Sequence, residues 1–201
     1  MLKQGILLIL LTLLLSVPVL AESSKPDKVL EENVGKVLTT LQEDGGAIRK
    51  QPEKLRAVVN DIVLPLIDFE AMSKLTLAKY WKRASPEQQA SFVEAYKKML
   101  IRTYSNSLAD YAGQTIRFFP ERTRLDGKYA EVYSEFVPGN GQPNKDVKYS
   151  MRVSDGRWQV YDITIDGLSF VKNYRTSFGK EISTNGLDAL IQRLQNGDNF
   201  S

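Results

Sequence analysis

Apolar positions recur at three- and four-residue steps in the first half of the chain and at two-residue steps in the second. From Asp27, the residues Val29, Leu30, Val34, Val37, Leu38 and Leu41 share a helical face, and Gly45-Gly46 suits its C-terminal end. A second helix is expected from Pro52, with Leu55, Val58, Val59 and Ile62 on one side, until Pro65 stops or kinks it. Asp68 can cap a third that carries Phe69, Met72, Leu75 and Leu77. Ser85-Pro86-Glu87-Gln88 is a start signal: Ser85 as N-cap, Pro86 in the first turn, Gln88 closing a capping box. Phe92, Tyr96, Met99, Leu100, Tyr104, Leu108 and Tyr111 then mark the longest helix, running to Gly113.

After Gly113 the period changes to two. Residues 115–119 and 122–125 read as short strands, Asp126-Gly127 as a turn, and 128–137 as a longer strand. Residues 138–144 form a loop on composition. Residues 146–153 alternate, with Val147, Tyr149, Met151 and Val153 on one face. Asp155-Gly156 turns the chain into 157–165, where Trp158 and Val160 fall on one face and Tyr161, Ile163 and Ile165 on the other, a strand expected to be covered on both sides. The tail is helical again, with Leu168, Val171, Tyr174 and Phe178 on one face, a break at Asn185-Gly186, and Leu187, Leu190, Ile191 and Leu194 after it. The fold class is therefore α+β: an antiparallel sheet of four or five strands packed against an N-terminal helical part and C-terminal helices. The organisation is residues 1–21 as a leader and 22–201 as one domain, helical over 27–112, strand-rich over 114–165 and helical over 168–196.

The leader changes the reading of the composition. Lys3 supplies a positive start, Ile6 to Leu15 an apolar stretch broken only by Thr12, and Val19 and Ala21 the small residues of a cleavage site. This is a cleavable secretory signal, short for a membrane span, and no cysteine follows it to take a lipid. Part of the 42% apolar content belongs to this segment. The formal charge of +3 falls to +2 without Lys3, too balanced for a nucleic-acid binder.

The 201 residues contain no histidine and no cysteine. That excludes Ser-His and Cys-His nucleophile pairs, disulfides and thiolate-bound zinc. No phosphate-cradling glycine loop or calcium loop is present. Asp162 and Asp166 could serve as an acid-base pair, although both suit turn or cap positions before the following helix. Lys79-Tyr80-Trp81-Lys82-Arg83 is a basic-aromatic cluster that could touch an anionic membrane surface or a partner; it equally suits a helix end with its aromatics packed inward. The stripes Met99/Tyr104/Leu108, Val147/Tyr149/Met151 and Leu168/Val171/Tyr174 compete for one interior, and periodicity leaves open whether that interior is filled or hollow.

Longer stretches add a resemblance. Residues 64–72 (Leu-Pro-Leu-Ile-Asp-Phe-Glu-Ala-Met), 80–88 (Tyr-Trp-Lys-Arg-Ala-Ser-Pro-Glu-Gln), 100–105 and above all 161–178 resemble the MlaC family, the toluene-tolerance auxiliary proteins of Gram-negative bacteria. The likeness covers nearly the whole chain after the leader, in the same order; Leu168 stands where members often carry a small apolar residue. The resemblance implies a periplasmic phospholipid carrier that catalyses nothing and needs no cofactor or metal, with phospholipid as cargo. It implies acyl chains held in an apolar cavity enclosed by a curved sheet and the helices. It implies as partners an outer-membrane lipoprotein-porin complex and an inner-membrane ABC transporter with a substrate-binding ring. On this reading the faces above supply the cavity wall: Met99, Tyr104, Leu108, Tyr133, Val147, Tyr149, Met151, Ile163, Leu168, Val171, Tyr174 and Phe178. Two other readings stand beside it: a small-molecule isomerase or hydrolase with Asp162 or Asp166 as base, and a chaperone of lipoprotein acyl groups.

Overall fold

The computed structural model describes residues 25–43, 51–108, 114–138, 141–198 and 200, with the side chains of Pro52 and residues 106–108 excepted. The expected leader, Gly45-Gly46, Tyr111 and Gly113 lie outside the described residues. Helix α1 spans Pro26–Glu43 and buries Leu30, Val37 and Leu41. Helix α2, Pro52–Val58, runs without a break into a π-helical turn, Val59–Val63, and a 3-10 turn, Leu64–Leu66. Pro65 explains the change of pitch: it has no N–H to donate, and its ring crowds the carbonyl four residues back.

Asp68 caps α3, Phe69–Leu77, by accepting from the Ala71 N–H at 2.8 Å. Its other carboxylate oxygen takes the Arg152 Nε–H at 2.5 Å, which ties the start of α3 to the sheet. Helix α4, Pro86–Leu108, starts as expected, with the Ser85 N–H donating to Gln88 Oε1 at 3.0 Å and the Gln88 N–H to Ser85 Oγ at 3.2 Å.

The sheet is antiparallel, in the order β1-β3-β4-β5-β6, with β2 beside β1 along the same edge of β3. Its strands are β1 Thr115–Phe118, β2 Arg124–Asp126, β3 Tyr129–Val137, β4 Lys145–Ser154, β5 Arg157–Ile165 and β6 Leu168–Ser169. Six strands stand where four or five were expected. The addition is β6, because Asp166-Gly167 makes a two-residue hairpin rather than a helix start, with Ile165 opposite Leu168. Both turn residues have positive φ (48° and 82°), as do Asp155 and Gly156 (49° and 74°) between β4 and β5. Such turns match the twist of the strands they join. Helix α5, Phe170–Asn185, follows, and α6, Leu187–Asn196, closes the chain's helical tail.

One irregularity reorganises the sheet. Ser150 pairs with Asp162 but Met151 pairs with Val160, so Tyr161 is an extra residue in β5. This bulge corrects the expected two-faced strand. Trp158, Val160, Ile163 and Ile165 all come onto one face, opposite Val153, Met151, Tyr149 and Val147.

The buried apolar residues form separate clusters. Helices α3, α4, α5 and α6 pack around Phe92, Tyr96, Tyr174 and Phe178. The sheet face packs Val132, Met151, Trp158 and Val160 against Leu30 of α1. Helices α1 and α2 meet through Val37, Leu41, Leu55 and Val58.

Candidate functional site

The space between α1, the irregular segment 59–67 and the sheet face is not filled. A cavity of about 260 Å³ lies there. Helix α1 contributes Leu30, Val34, Val37 and Leu38, whose three- and four-residue spacing puts them on one side. The irregular segment supplies Val63, Leu66 and Ile67. From the sheet come Ile116 and Phe136 at one margin and Val147, Tyr149, Val160, Ile163 and Ile165 across β4 and β5. The polar side chains on the wall are few. Asn33 donates its amide to the Val29 carbonyl at 2.8 Å, within its own helix, and Lys145 lies exposed at the start of β4. Ser134 donates to the Tyr149 hydroxyl at 3.4 Å.

A second cavity, about 160 Å³, adjoins the first and shares Val63, Ile67 and Ile163 with it. Its own wall comes from Val59, Leu64, Phe69 and Met72 on the first side, and from Leu100, Ile101, Tyr104, Ser105 and Phe170 on the second. Tyr104, 39% exposed, stacks on Phe170 with ring centroids 5.0 Å apart. Its hydroxyl lies 3.1 Å from that of Tyr174. Desolvation first, and then the bond to Tyr104, push the Tyr174 phenol well above its ordinary range.

The cavity wall expected from the sequence is partly elsewhere. Val147, Tyr149, Ile163 and Tyr104 line the cavities. Val171, Tyr174 and Phe178 are buried in the helical cluster instead, because α5 turns that face to the other helices, and Met99 joins the same cluster from α4. Met151 is fully buried in the closed part of the sheet cluster. Tyr133 is on the opposite face of the sheet. Strand β3 alternates, Ala130 and Val132 are its buried set, and Tyr133 falls in the other phase, under the Arg122 guanidinium at 4.8 Å and donating to Glu131 at 2.8 Å. Leu168 is 74% exposed, since β6 is a two-residue edge strand. The side chain of Leu108 lies outside the described residues.

Residues 78–83 form a 3-10 turn. Tyr80 and Trp81 pack against the helical cluster, the Tyr80 hydroxyl reaching the Gly179 carbonyl at 3.5 Å, while Lys79, Lys82 and Arg83 are exposed. Asp162 is engaged by the start of α5: it accepts the Ser169 hydroxyl at 2.6 Å and the Val171 N–H at 3.0 Å. Asp166 accepts the Asp146 N–H at 3.1 Å across the hairpin. Neither carboxylate lines the apolar cavities. Among the described residues no group of three or more acidic side chains could hold a metal ion, and no helix is long and apolar enough to cross a membrane.

The α1 and 59–67 walls were missed by sequence reasoning. Their positions were assigned to helices, and nothing in a helical stripe says whether its partner is another side chain or empty space. The available signal was residue shape. The cavity walls are dominated by Val, Ile and Leu, whereas the filled cluster holds the large rings.

Comparison with known proteins places this architecture. The chain is similar to the toluene tolerance protein ttg2D of Pseudomonas putida, 30% identical over 181 residues, covering 89% of this chain and 83% of the relative. It is similar to the intermembrane phospholipid transport system binding protein MlaC of Haemophilus influenzae, 24% identical over 178 residues, with 88% and 83% covered. Its fold matches the structure of a phospholipid-binding protein from Ralstonia solanacearum in complex with a phospholipid, at a TM-score of 0.76 and 29% identity, over 87% of this chain and 97% of that one. A family model described as MlaC protein matches residues 31–196, which include every residue of both cavity walls but Leu30 and all the buried residues of the helical cluster, and the chain belongs to that family.

Proposed function

We propose that this protein is a phospholipid carrier that encloses acyl chains between α1, the segment 59–67 and the sheet. The observation that carries the reading is the adjoining pair of cavities, walled almost wholly by apolar side chains. The relatives support it: one is named for intermembrane phospholipid transport, and the Ralstonia protein was solved with a phospholipid. Residues 1–21 act as a cleaved export signal, and the carrier works in the periplasm. It takes its cargo at one membrane and delivers it at the other. An outer-membrane lipoprotein-porin complex and an inner-membrane ABC transporter with a substrate-binding ring serve as its docking partners. The carrier itself makes and breaks no covalent bonds.

The energetics suit such a role. Each buried methylene contributes about 0.8 kcal/mol, so one long acyl chain supplies on the order of 10 kcal/mol without any charged contact. Release into water is therefore slow, and handover requires a docked partner that opens the site. A net charge near neutrality leaves little attraction to an anionic bilayer, which favours departure once loaded.

The test is extraction and mass spectrometry of the freshly purified protein. Diacyl phospholipid at near one-to-one stoichiometry is expected. An empty cavity, or a bound lipoprotein in place of free lipid, sinks the proposal.

A further inference from the structure

The small net charge conceals a segregation. Residues 69–83 and 170–185 hold seven Lys and Arg against two Asp and Glu, out of 27 and 24 in the chain, so everything outside them is net negative. The two segments lie side by side. Arg175 donates through Nε and a terminal nitrogen to the Leu75 carbonyl, at 2.8 and 2.5 Å, and the Tyr80 hydroxyl reaches the Gly179 carbonyl. On α5, Lys172, Thr176 and Lys180 follow at four-residue steps, on the side away from the buried Val171, Tyr174, Phe178 and Ile182. Beside it, Lys74 is exposed on α3, and Lys79, Lys82 and Arg83 on the turn that follows. Among the described residues none of these six cations has an ion-pair partner. Of the two acids, Glu181 is taken by Arg193 at 2.6 Å, and Glu70 stands in the first turn of α3, near Arg152.

The turn that joins this face together is strained. Ala78 ends α3 at φ 49° and ψ −115°, a conformation that a residue with a Cβ rarely adopts. Fixed partners hold it: the Tyr80 contact to Gly179, and the Gln89 side-chain amide donating to the Trp81 carbonyl at 2.9 Å. The 79–83 turn is thereby laid beside α5 instead of winding on along α3. Its two rings pack inward against the helical cluster, and its three cations are left outside.

We infer that this face of α3, the 79–83 turn and α5 is an electrostatic docking surface for an anionic bilayer. It rests on the phospholipid-carrier reading, which requires the protein to meet membranes, and adds the side by which it does so. Lysines suit such a surface, because mobile charged headgroups ask for point charges on flexible stems rather than for a shaped pocket. With the rings of Tyr80 and Trp81 packed inward, the contact is shallow, weakened by salt and easily reversed. It also sets an orientation. Phe69 and Met72 of α3 and Phe170 of α5 line the second cavity, so the helices that carry the cations also border the space for cargo. The net negative remainder of the surface opposes broader adhesion.

The experiment is vesicle flotation of the protein as purified, with vesicles of phosphatidylcholine alone and of phosphatidylcholine mixed with phosphatidylglycerol. Wild type is expected to float with the anionic vesicles only, and to be released as salt is raised. The variant Lys79→Glu/Lys82→Glu/Arg83→Glu should lose about ten-fold or more in vesicle affinity, and Lys172→Glu/Lys180→Glu several-fold. Lys36→Glu/Lys128→Glu/Arg157→Glu makes the same change of net charge on exposed residues outside the face, and should bind within about two-fold of wild type. All three variants should keep their co-purified phospholipid, because none of these residues lines either apolar cavity. Circular dichroism confirms folding, and Lys79→Gln/Lys82→Gln/Arg83→Gln replaces the triple reversal if that one does not fold. Wild type that carries phospholipid but ignores anionic vesicles overturns the inference in favour of an acidic protein partner, and leaves the carrier reading standing. Equal weakening in the variant altered outside the face also overturns it, as does binding that survives high salt. Protein that floats with anionic vesicles yet carries no lipid keeps the docking surface and overturns the carrier reading alone.

Discussion

The helical cluster and the sheet-side cavity are built from the same class of residue and end in opposite states. In the helical cluster Phe178 meets the rings of Phe92, Tyr96, Tyr174 and Phe200 at centroid distances of 5.2 to 5.9 Å, three of the four contacts edge-on. Flat rings tilted against one another fill space efficiently and add pair energies beyond their buried area. Across the sheet, Val34, Val37, Val63, Ile163 and Ile165 hold the elements apart but are too short to meet in the middle. Their elements also stay at a fixed spacing: Asp68 and Arg152 join the start of α3 to β4, and Ile67 is bridged to β5. A hollow interior persists when its walls are braced elsewhere and its side chains are small. Of the tyrosines and methionines expected to line it, Tyr174 and Met99 are in the filled half and Met151 is in the closed part of the sheet cluster, while Tyr104 and Tyr149 do line it.

The largest effect should come from breaking the filled side. Phe178→Ala removes a fully buried ring with four aromatic neighbours and is expected to cost about 3–5 kcal/mol in denaturant unfolding. The fraction that remains folded should still carry lipid at the wild-type ratio. A destabilisation below about 1 kcal/mol would mean that the helical cluster is not the principal core.

Severing the brace comes next. Asp68→Ala removes the cap of α3 and leaves Arg152 without its carboxylate, for an expected loss of about 2–3 kcal/mol. Because the brace holds the cavity open, lipid retention should fall as well, by several-fold. Asp68→Asn keeps a capping oxygen and should recover part of the stability but not the ionic tie. Equal lipid retention in wild type and Asp68→Ala would show that the spacing does not depend on this link.

On the hollow side the order reverses. Val34→Asp places a carboxylate on the cavity wall, where a half-buried position can stay hydrated in the lipid-free protein. Its cost to lipid-free stability should be only about 1 kcal/mol, while phospholipid co-purification should be lost. The same substitution at Val171 or Tyr174 reads out folding instead, since both are buried in the helical cluster. If Val34→Asp retains lipid, the cavity beside α1 is not the seat.

These contrasts also mark how far the sequence was legible. Helix starts carried by side-chain chemistry, such as Ser85 with Gln88 and Asp68 before Phe69, are where the spacing puts them, because a cap is a local interaction. The α+β class was legible from the change of period after Gly113. The face of β5 was not. A bulge at Tyr161 depends on the pairing of two strands, and one extra residue moves Ile163 and Ile165 to the side of Val160. Nor was Tyr133 or Leu168 legible as non-lining, since phase along β3 and the two-residue length of β6 are set by their neighbours. Most of all, an apolar stripe shows what a helix turns away from water, not whether anything touches it. Val171 and Val34 have the same character in the sequence and opposite surroundings in the fold.

The smallest effect tests the sheet's outer face against its cavity face. Glu131 points away from the cavity and accepts from Lys148 Nζ at 2.8 Å and from the Tyr133 hydroxyl at 2.8 Å. The bond from Lys148, then that from Tyr133, hold its carboxyl below the usual carboxylate range. A depressed carboxylate stabilises the fold above its unfolded pKa, and that contribution disappears as the pH falls through the folded value. The side chain is about one third exposed, so solvent screening keeps the contribution to a few tenths of a kcal/mol. Glu131→Gln should therefore be slightly less stable than wild type at pH 7 and indistinguishable from it near pH 3. Lipid stoichiometry should be unchanged at neutral pH, because nothing on this face reaches the acyl chains. A loss of lipid in Glu131→Gln would mean that the two faces of the sheet are mechanically coupled, and that the hollow is held open from outside as well as by the brace at Asp68.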